Sequence, residues 1–176
     1  MSRLKGLLFN EENVLLDPYS RAVTGQRKWG EKPEGGKDFE YRARVVKSNF
    51  DWGNIKQLEQ PFEDLVIYET HVRGYTKDKS SGVSAPGTFA GLKDKIPYLK
   101  DLGINAVELM PIFEFDEMES ARVVDGVQLY NYWGYNTVSF FATEYQLCLQ
   151  RGAQPRGRRA EIADKGFKGK WHRGHS

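Results

Sequence analysis

The most regular pattern in this chain lies between residues 65 and 110. Leu65 to Val72 reads LVIYETHV, opening with consecutive apolar residues and rich in β-branched and aromatic side chains. That composition predicts a strand buried on both faces. A polar, Gly- and Ser-containing loop, RGYTKDKSSGVSAPG, follows it. In the next stretch, TFAGLKDKIPYLKDLG, the apolar residues Phe89, Leu92, Ile96, Leu99 and Leu102 recur at steps of three or four. This is the helical period, with Thr88 placed to cap the amino end and Gly103 to stop the carboxyl end. Pro97 should bend this helix or set off its first turn. Ile104 to Met110, INAVELM, then predicts a second strand, ended by Pro111. Strand, helix, strand in this order is a βαβ unit with parallel strands.

The pattern is weaker on either side. Leu7 to Phe9 and Val14 to Leu16 read as short strands, with a turn at Asp17-Pro18-Tyr19. Residues 31 to 48 are polar and Gly-interrupted, and residues 49 to 64 read as a linker. After the second strand comes a long stretch without clear period, PIFEFDEMESARVVDGVQLYNYWGYNT. A loop of that length in a compact domain is usually functional or disordered. Its aromatic content, with Phe113, Phe115, Tyr130, Tyr132, Trp133 and Tyr135, argues for order. It would lie at the carboxyl end of a strand, where α/β folds bind ligands.

Composition narrows the class. Hydrophobic residues make up 39% of the 176 and aromatics 13%, a globular composition. No apolar run reaches the roughly 20 residues of a membrane helix, so no membrane partner is expected. The start, MSRLKGLLFNEEN, shows no signal peptide, and the single cysteine, Cys148, fits a reducing, cytoplasmic setting. The net charge of +2 conceals an asymmetry: residues 143 to 176 carry +5 and residues 1 to 142 carry −3.

Several groups are candidates for chemistry. Tyr132, Trp133 and Tyr135 could form a platform on which the C–H face of a sugar stacks, against the plainer reading of loop packing. Glu69 and His71 stand two apart on the first strand and so share a face. Acid–base work is open to them, but the expected reading is a satisfied buried pair, or strand-end residues hydrogen-bonded to loops. Glu108, in the second strand, is expected to be a buried, hydrogen-bonded carboxylate. Asp116, Glu117 and Glu119 lack an ordered calcium-ligand spacing and read as a solvated acidic loop. His172, His175 and Cys148 do not make a metal spacing. No metal and no cofactor are expected.

The stretches DLVIYETHVRGYT, GTFAGLKDKIPYLKDLGINAVELMPIFEFDE and YNYWGYNTVSFFA, in this order, resemble the α-amylase superfamily, glycoside hydrolase family 13. They are most similar to its isoamylase and glycogen-debranching branch. FNEENVLLDPYSRAVTG resembles the closing strands of the β-sandwich carbohydrate-binding module that precedes the barrel there, and Phe50 to Trp52 the segment joining the two. The resemblance covers roughly residues 7 to 142. It implies an α/β fold: the start of a (β/α)8 TIM barrel, with strands at 65–72 and 104–110 and a helix at 89–102. The implied division is 1–48 sandwich, 49–64 linker, 65–142 barrel and 143–176 tail. It also implies hydrolysis of α-1,6 bonds in glycogen or a related α-glucan, by a retaining mechanism, in a complete enzyme. Tyr135 matches the tyrosine that stacks under the sugar at the cleavage site, and Tyr132 and Trp133 accompany it as substrate-binding residues. The catalytic carboxylates follow later strands, no residue here matches them, and the catalytic set in this chain is none. Hydrolase activity is therefore not expected of the chain alone. A branching enzyme or pullulanase of the same superfamily, and a non-catalytic glucan-binding module, remain open alternatives.

From Thr143 the resemblance stops. One permitted back-translation of residues 143 to 176, read one base later, yields an amphipathic helix, a Gly stop and an apolar strand, the elements the superfamily has there. Residues 143–176 are therefore expected to be out-of-frame, disordered text after a one-base insertion. Their basic character, and Trp171 within it, could hold phosphates and bases. On the out-of-frame reading it is accidental, and no nucleic-acid partner is expected.

Overall fold

The expected strand–helix–strand grammar folds as a parallel pair. Numbering elements along the chain, β3 (Ile67–Thr70) pairs with β4 (Ala106–Leu109), Ile67 opposite Ala106 and Thr70 opposite Leu109. The structure is a computed structural model describing residues 14–25, 29–31, 41–46, 53–54 and 59–148. The helical connection holds two helices, α2 (Phe89–Asp94) and α3 (Ile96–Asp101), which meet at Lys95, two residues before Pro97. Thr88 caps α2 as expected, its Oγ1 accepting from the Gly91 amide. Gly103 closes α3 with φ of +81°, donating to Lys100 O at 2.8 Å while Ile104 donates to Leu99 O at 3.0 Å. That is the Schellman pattern, and only a residue tolerant of positive φ takes it without strain.

The helical stripe buries as its period requires. Leu92 and Leu99 are fully buried and Ile96 nearly so, whereas Leu102, on the margin, is half exposed. Ile96 and Leu99 pack with Tyr68, Tyr75, Ile104 and Val107, while Leu92 and Phe89 pack with Val72 and Leu147. Each buried side chain of this size contributes about 1.5–3 kcal/mol.

Four expectations are corrected here. The first strand ends at Thr70, because His71 caps a short helix, α1 (Val72–Thr76), that takes Val72 into the core. The strand is not buried on both faces: Val66 and Ile67 are each about half exposed. β3 and β4 form a two-stranded sheet among the described residues, so each leaves one edge and part of a face open. For the same reason Glu108 is exposed rather than buried. Val14 to Leu16 form no strand, and Val14 and Leu15 project into solvent. The turn after them is present, with Ser20 N donating to Asp17 O and Tyr19 N to Asp17 Oδ1. The other expected early strand, Leu7 to Phe9, and the joining segment Phe50 to Trp52 lie outside the described residues. In the early segment β1 (Val23–Thr24) pairs antiparallel with β2 (Arg42–Ala43).

The long stretch after β4 is more regular than its sequence suggests. β5 (Phe113–Phe115) pairs antiparallel with β8 (Thr137–Thr143), with register shifts between each of its residues. Between them β6 (Arg122–Val124) and β7 (Val127–Leu129) form a hairpin turning at Asp125 and Gly126, both at positive φ. Every residue of β6 and β7 is exposed, so no apolar period marks them. The fold also runs past the expected junction at Thr143. That residue ends β8, and α4 (Tyr145–Cys148) follows with Leu147 buried against Phe89 and Leu92. Residues 149–176, with His172 and His175, lie outside the described residues. No helix among the described residues is long and apolar enough to cross a membrane.

Candidate functional site

The site forms where the carboxyl end of β3 meets the segment entering β8. Tyr132, Trp133 and Tyr135 are respectively 39%, 52% and 68% exposed, so all three rings offer surface. Two asparagines hold the segment from either side. Asn131 N donates to Glu117 O at 2.9 Å, and Asn131 Nδ2 donates to Asn136 Oδ1. Asn136 Nδ2 donates to Asp116 O at 3.2 Å and to the Glu119 carboxylate. Between them Gly134 sits at φ +74°, its Cα against the Phe115 ring, where a Cβ would come within 2.9 Å of Cδ1. The aromatic segment is therefore a short turn clamped at both ends with little room beneath it.

His71 ties this turn to the parallel strands. Its Nδ1 accepts from the Gly74 amide at 3.0 Å, capping α1, and its Nε2 lies 3.1 Å from Tyr132 O. The imidazole stacks on the Tyr132 ring at 4.4 Å and 18°, and Trp133 meets both rings edge-on. Burial lowers the His71 pKa, the Tyr132 carbonyl opposes that, and the Arg73 charge adds to the lowering. Of the two expected readings, His71 is a strand-end residue hydrogen-bonded to a loop and not half of a buried pair. Glu69 is exposed and not brought together with it.

Beneath the turn lies a buried polar layer. Glu114, Glu117 and Glu144 are 1%, 5% and 3% exposed. Glu117 Oε1 accepts from the Gly30 amide at 2.8 Å, Glu114 Oε2 from Tyr145 N at 3.3 Å, and Glu144 Oε1 from Gln146 N at 3.2 Å. Burial pushes Glu144 up to about 7; the Gln146 amide opposes and the nearby Glu117 charge reinforces it. Arg73 lies over the Trp29 ring at 5.3 Å and donates to Gln146 Oε1. The expectation of a solvated acidic loop at Asp116, Glu117 and Glu119 is thus corrected: Glu117 is interior and bridges to the early segment, and Asp116 Oδ1 holds the Met118 amide. Sequence reasoning missed Glu114, Glu144, Arg73 and the two asparagines. Only the asparagines left a signal, because Asn on either side of a Gly-containing aromatic segment is turn chemistry.

No family model matches the sequence. A pullulanase from Anoxybacillus sp. LM18-11, solved with maltotetraose, superposes with a TM-score of 0.62 at 23% identity, over 89% of this chain and 22% of that one. The catalytic module of the glycogen-degrading pneumococcal virulence factor SpuA gives 0.62 at 22% identity, over 89% and 24%. The structural likeness establishes a mixed α/β fold shared with these enzymes. Sequence likeness is stronger. Rice isoamylase 1, named as chloroplastic, is 43% identical over 140 residues, 78% of this chain and 17% of that protein. The glycogen operon protein GlgX homolog of Haemophilus influenzae is 34% identical over 155 residues, 81% of this chain and 23% of that protein. By sequence, the matched residues are similar to isoamylases and to glycogen operon GlgX homologs. The chain spans about a fifth of the length of these relatives.

Proposed function

We propose that residues 65 to 142 are the opening section of the catalytic (β/α)8 barrel of a debranching, isoamylase-type glycoside hydrolase, and that Tyr132, Trp133 and Tyr135 contact an α-glucan. The observation that carries this is the exposed aromatic turn, clamped by Asn131 and Asn136 beside the carboxyl end of a parallel strand pair. Pyranose rings present C–H faces that stack on such rings, and barrel enzymes bind substrate at that end of their strands. The names of the relatives and the oligosaccharide in the pullulanase complex support the substrate class. On this reading Tyr135, the most exposed of the three, stacks under the sugar ring.

In the complete retaining enzyme one carboxylate attacks the anomeric carbon while a carboxylic acid about 5 Å away protonates the leaving oxygen. This chain's part is to bind and orient the glucan. Glu114, Glu117 and Glu144 are buried and accept from backbone amides, which supports a structural role for them. The same reading proposes the end of a β-sandwich over residues 1 to 48, a joining segment over 49 to 64, and a cytoplasmic setting.

Electrophoresis of the 176-residue chain through gels containing glycogen tests it. The expected result is retardation by glycogen, lost in Tyr135→Ala, with no release of reducing sugar. Equal mobility with and without glycogen would refute the binding role, and glucan hydrolysis by the purified chain would refute the division of labour.

A further inference from the structure

We propose that His71 is the positioning residue of the aromatic turn, acting as a neutral imidazole with its proton on Nε2, so that glucan binding is lost when the ring takes a second proton. The inference rests on the glucan-binding reading above and adds what holds that platform in place.

Two partners fix the tautomer. Nδ1 faces the Gly74 amide at 3.0 Å, so it accepts and carries no proton. In a neutral ring the proton is then on Nε2, which lies 3.1 Å from Tyr132 O and donates to it. One side chain thus caps α1 and holds a carbonyl 61 residues away. Stacking at 4.4 Å sets the Tyr132 ring, and Tyr132 in turn meets Trp133 at 5.1 Å. Gly74 completes the seat: a Cβ there would collide with Tyr132 Oη, so the absent side chain lets the phenol lie across α1.

A second proton breaks the arrangement at one atom. Nδ1 becomes a donor facing the donor Gly74 N–H, and the cap cannot form. The groups facing the ring are Arg73 from α1, whose charge disfavours a further cation, and the Tyr132 and Trp133 rings from the turn. Burial works in the same direction as Arg73. The folded pKa is below the unfolded value of about 6.5, so this contribution is fully present above that value. It is lost as pH falls through the lower folded value.

The test uses the full chain with His172 and His175 changed to Asn, leaving one imidazole. Its ring nitrogens are read by ¹⁵N NMR, and retardation by glycogen is read from pH 7.5 down to 4.5. The expected result is the Nε2–H tautomer at pH 7.5 and retardation that falls several-fold with the same midpoint as the ring titration. His71→Asn, which keeps a capping oxygen but is too short to reach Tyr132 O, should fold, lose most retardation at pH 7.5 and show a flat pH profile. His71→Asn retarded like the parent, a flat profile in the parent, or an Nδ1–H tautomer would each overturn the proposal. A parent chain not retarded at any pH would instead overturn the glucan-binding reading beneath it, whatever the tautomer.

Discussion

Two halves of the described chain are built on different interiors. Between Ile67 and Leu109 the interior is mainly apolar, with Leu92, Ile96 and Leu99 at 1% exposure or less on one helical stripe and the threonines Thr70, Thr76 and Thr88 as its buried polar side chains. Between Phe113 and Cys148 it is largely polar, with Glu114, Glu117, Ser139 and Glu144 all under 6% exposed beside Phe115, Ala142 and Leu147. The first interior rests chiefly on burial, which is non-directional and tolerant of small shifts. The second needs each carboxylate matched to a donor, because an unmatched buried polar group costs about 1–3 kcal/mol. The turn that carries Tyr132, Trp133 and Tyr135 rests on the second kind. Hydrogen bonds of fixed length hold an aromatic platform at one height and angle, which an adaptable apolar support would not do as well.

The comparison breaks most visibly in the apolar half. Leu92→Ala should destabilise the chain by about 2–5 kcal/mol, read as a lower urea midpoint, whereas Leu102→Ala at the half-exposed margin should move it little. Comparable losses at both positions would mean the stripe is not the core.

The polar half should answer to pH instead. Glu144 is raised to about 7, so the folded state binds a proton that the unfolded chain releases at lower pH. Its favourable contribution is complete below the unfolded carboxyl value and disappears as pH rises through about 7. Between pH 5 and 8 stability should fall by about 1–3 kcal/mol, and Glu144→Gln should remove most of that slope while Leu92→Ala leaves it unchanged. Denaturation midpoints across that range decide between these outcomes.

Smaller effects separate the halves at two glycines. Gly103 and Gly134 both have positive φ, but a Cβ at Gly103 meets nothing within 4 Å and one at Gly134 meets Phe115. Gly103→Ala should cost about 1 kcal/mol of backbone strain and leave glycogen retardation alone. Gly134→Ala should cost more and weaken retardation by displacing the turn. Ser139→Ala should cost about 1 kcal/mol, through loss of its 3.1 Å bond to Ser20 O and of the tie to the early segment.

The two interiors also explain what the sequence revealed. The βαβ unit, the Thr88 cap, the Gly103 stop and the break near Pro97 follow from local rules, and all are present. The end of the first strand did not follow, because LVIYETHV continues as strand by composition while the His71 cap turns it into helix. β6 and β7 carry no period because both faces are solvated. The buried carboxylates were invisible for a different reason. Glu117 is satisfied by Gly30, 87 residues away, and nothing local distinguishes it from the solvated Glu119 nearby. The aromatic residues of the candidate site stood out in the sequence; the side chains that hold them, His71, Asn131 and Asn136, acquired their roles only once distant segments met.

On the proposed reading, the turn at Tyr132, Trp133 and Tyr135 is the glucan-contacting surface. The most direct measurement is a maltotetraose titration followed in ¹H–¹⁵N spectra of the full chain, with the Trp133 indole signal assigned from Trp133→Phe. The Trp133 indole and the Tyr135 amide should shift together and saturably, while the Trp29 indole, packed on Phe115 and Arg73, stays in place. Saturable shifts confined to Trp29, or none in the aromatic turn, would contradict it.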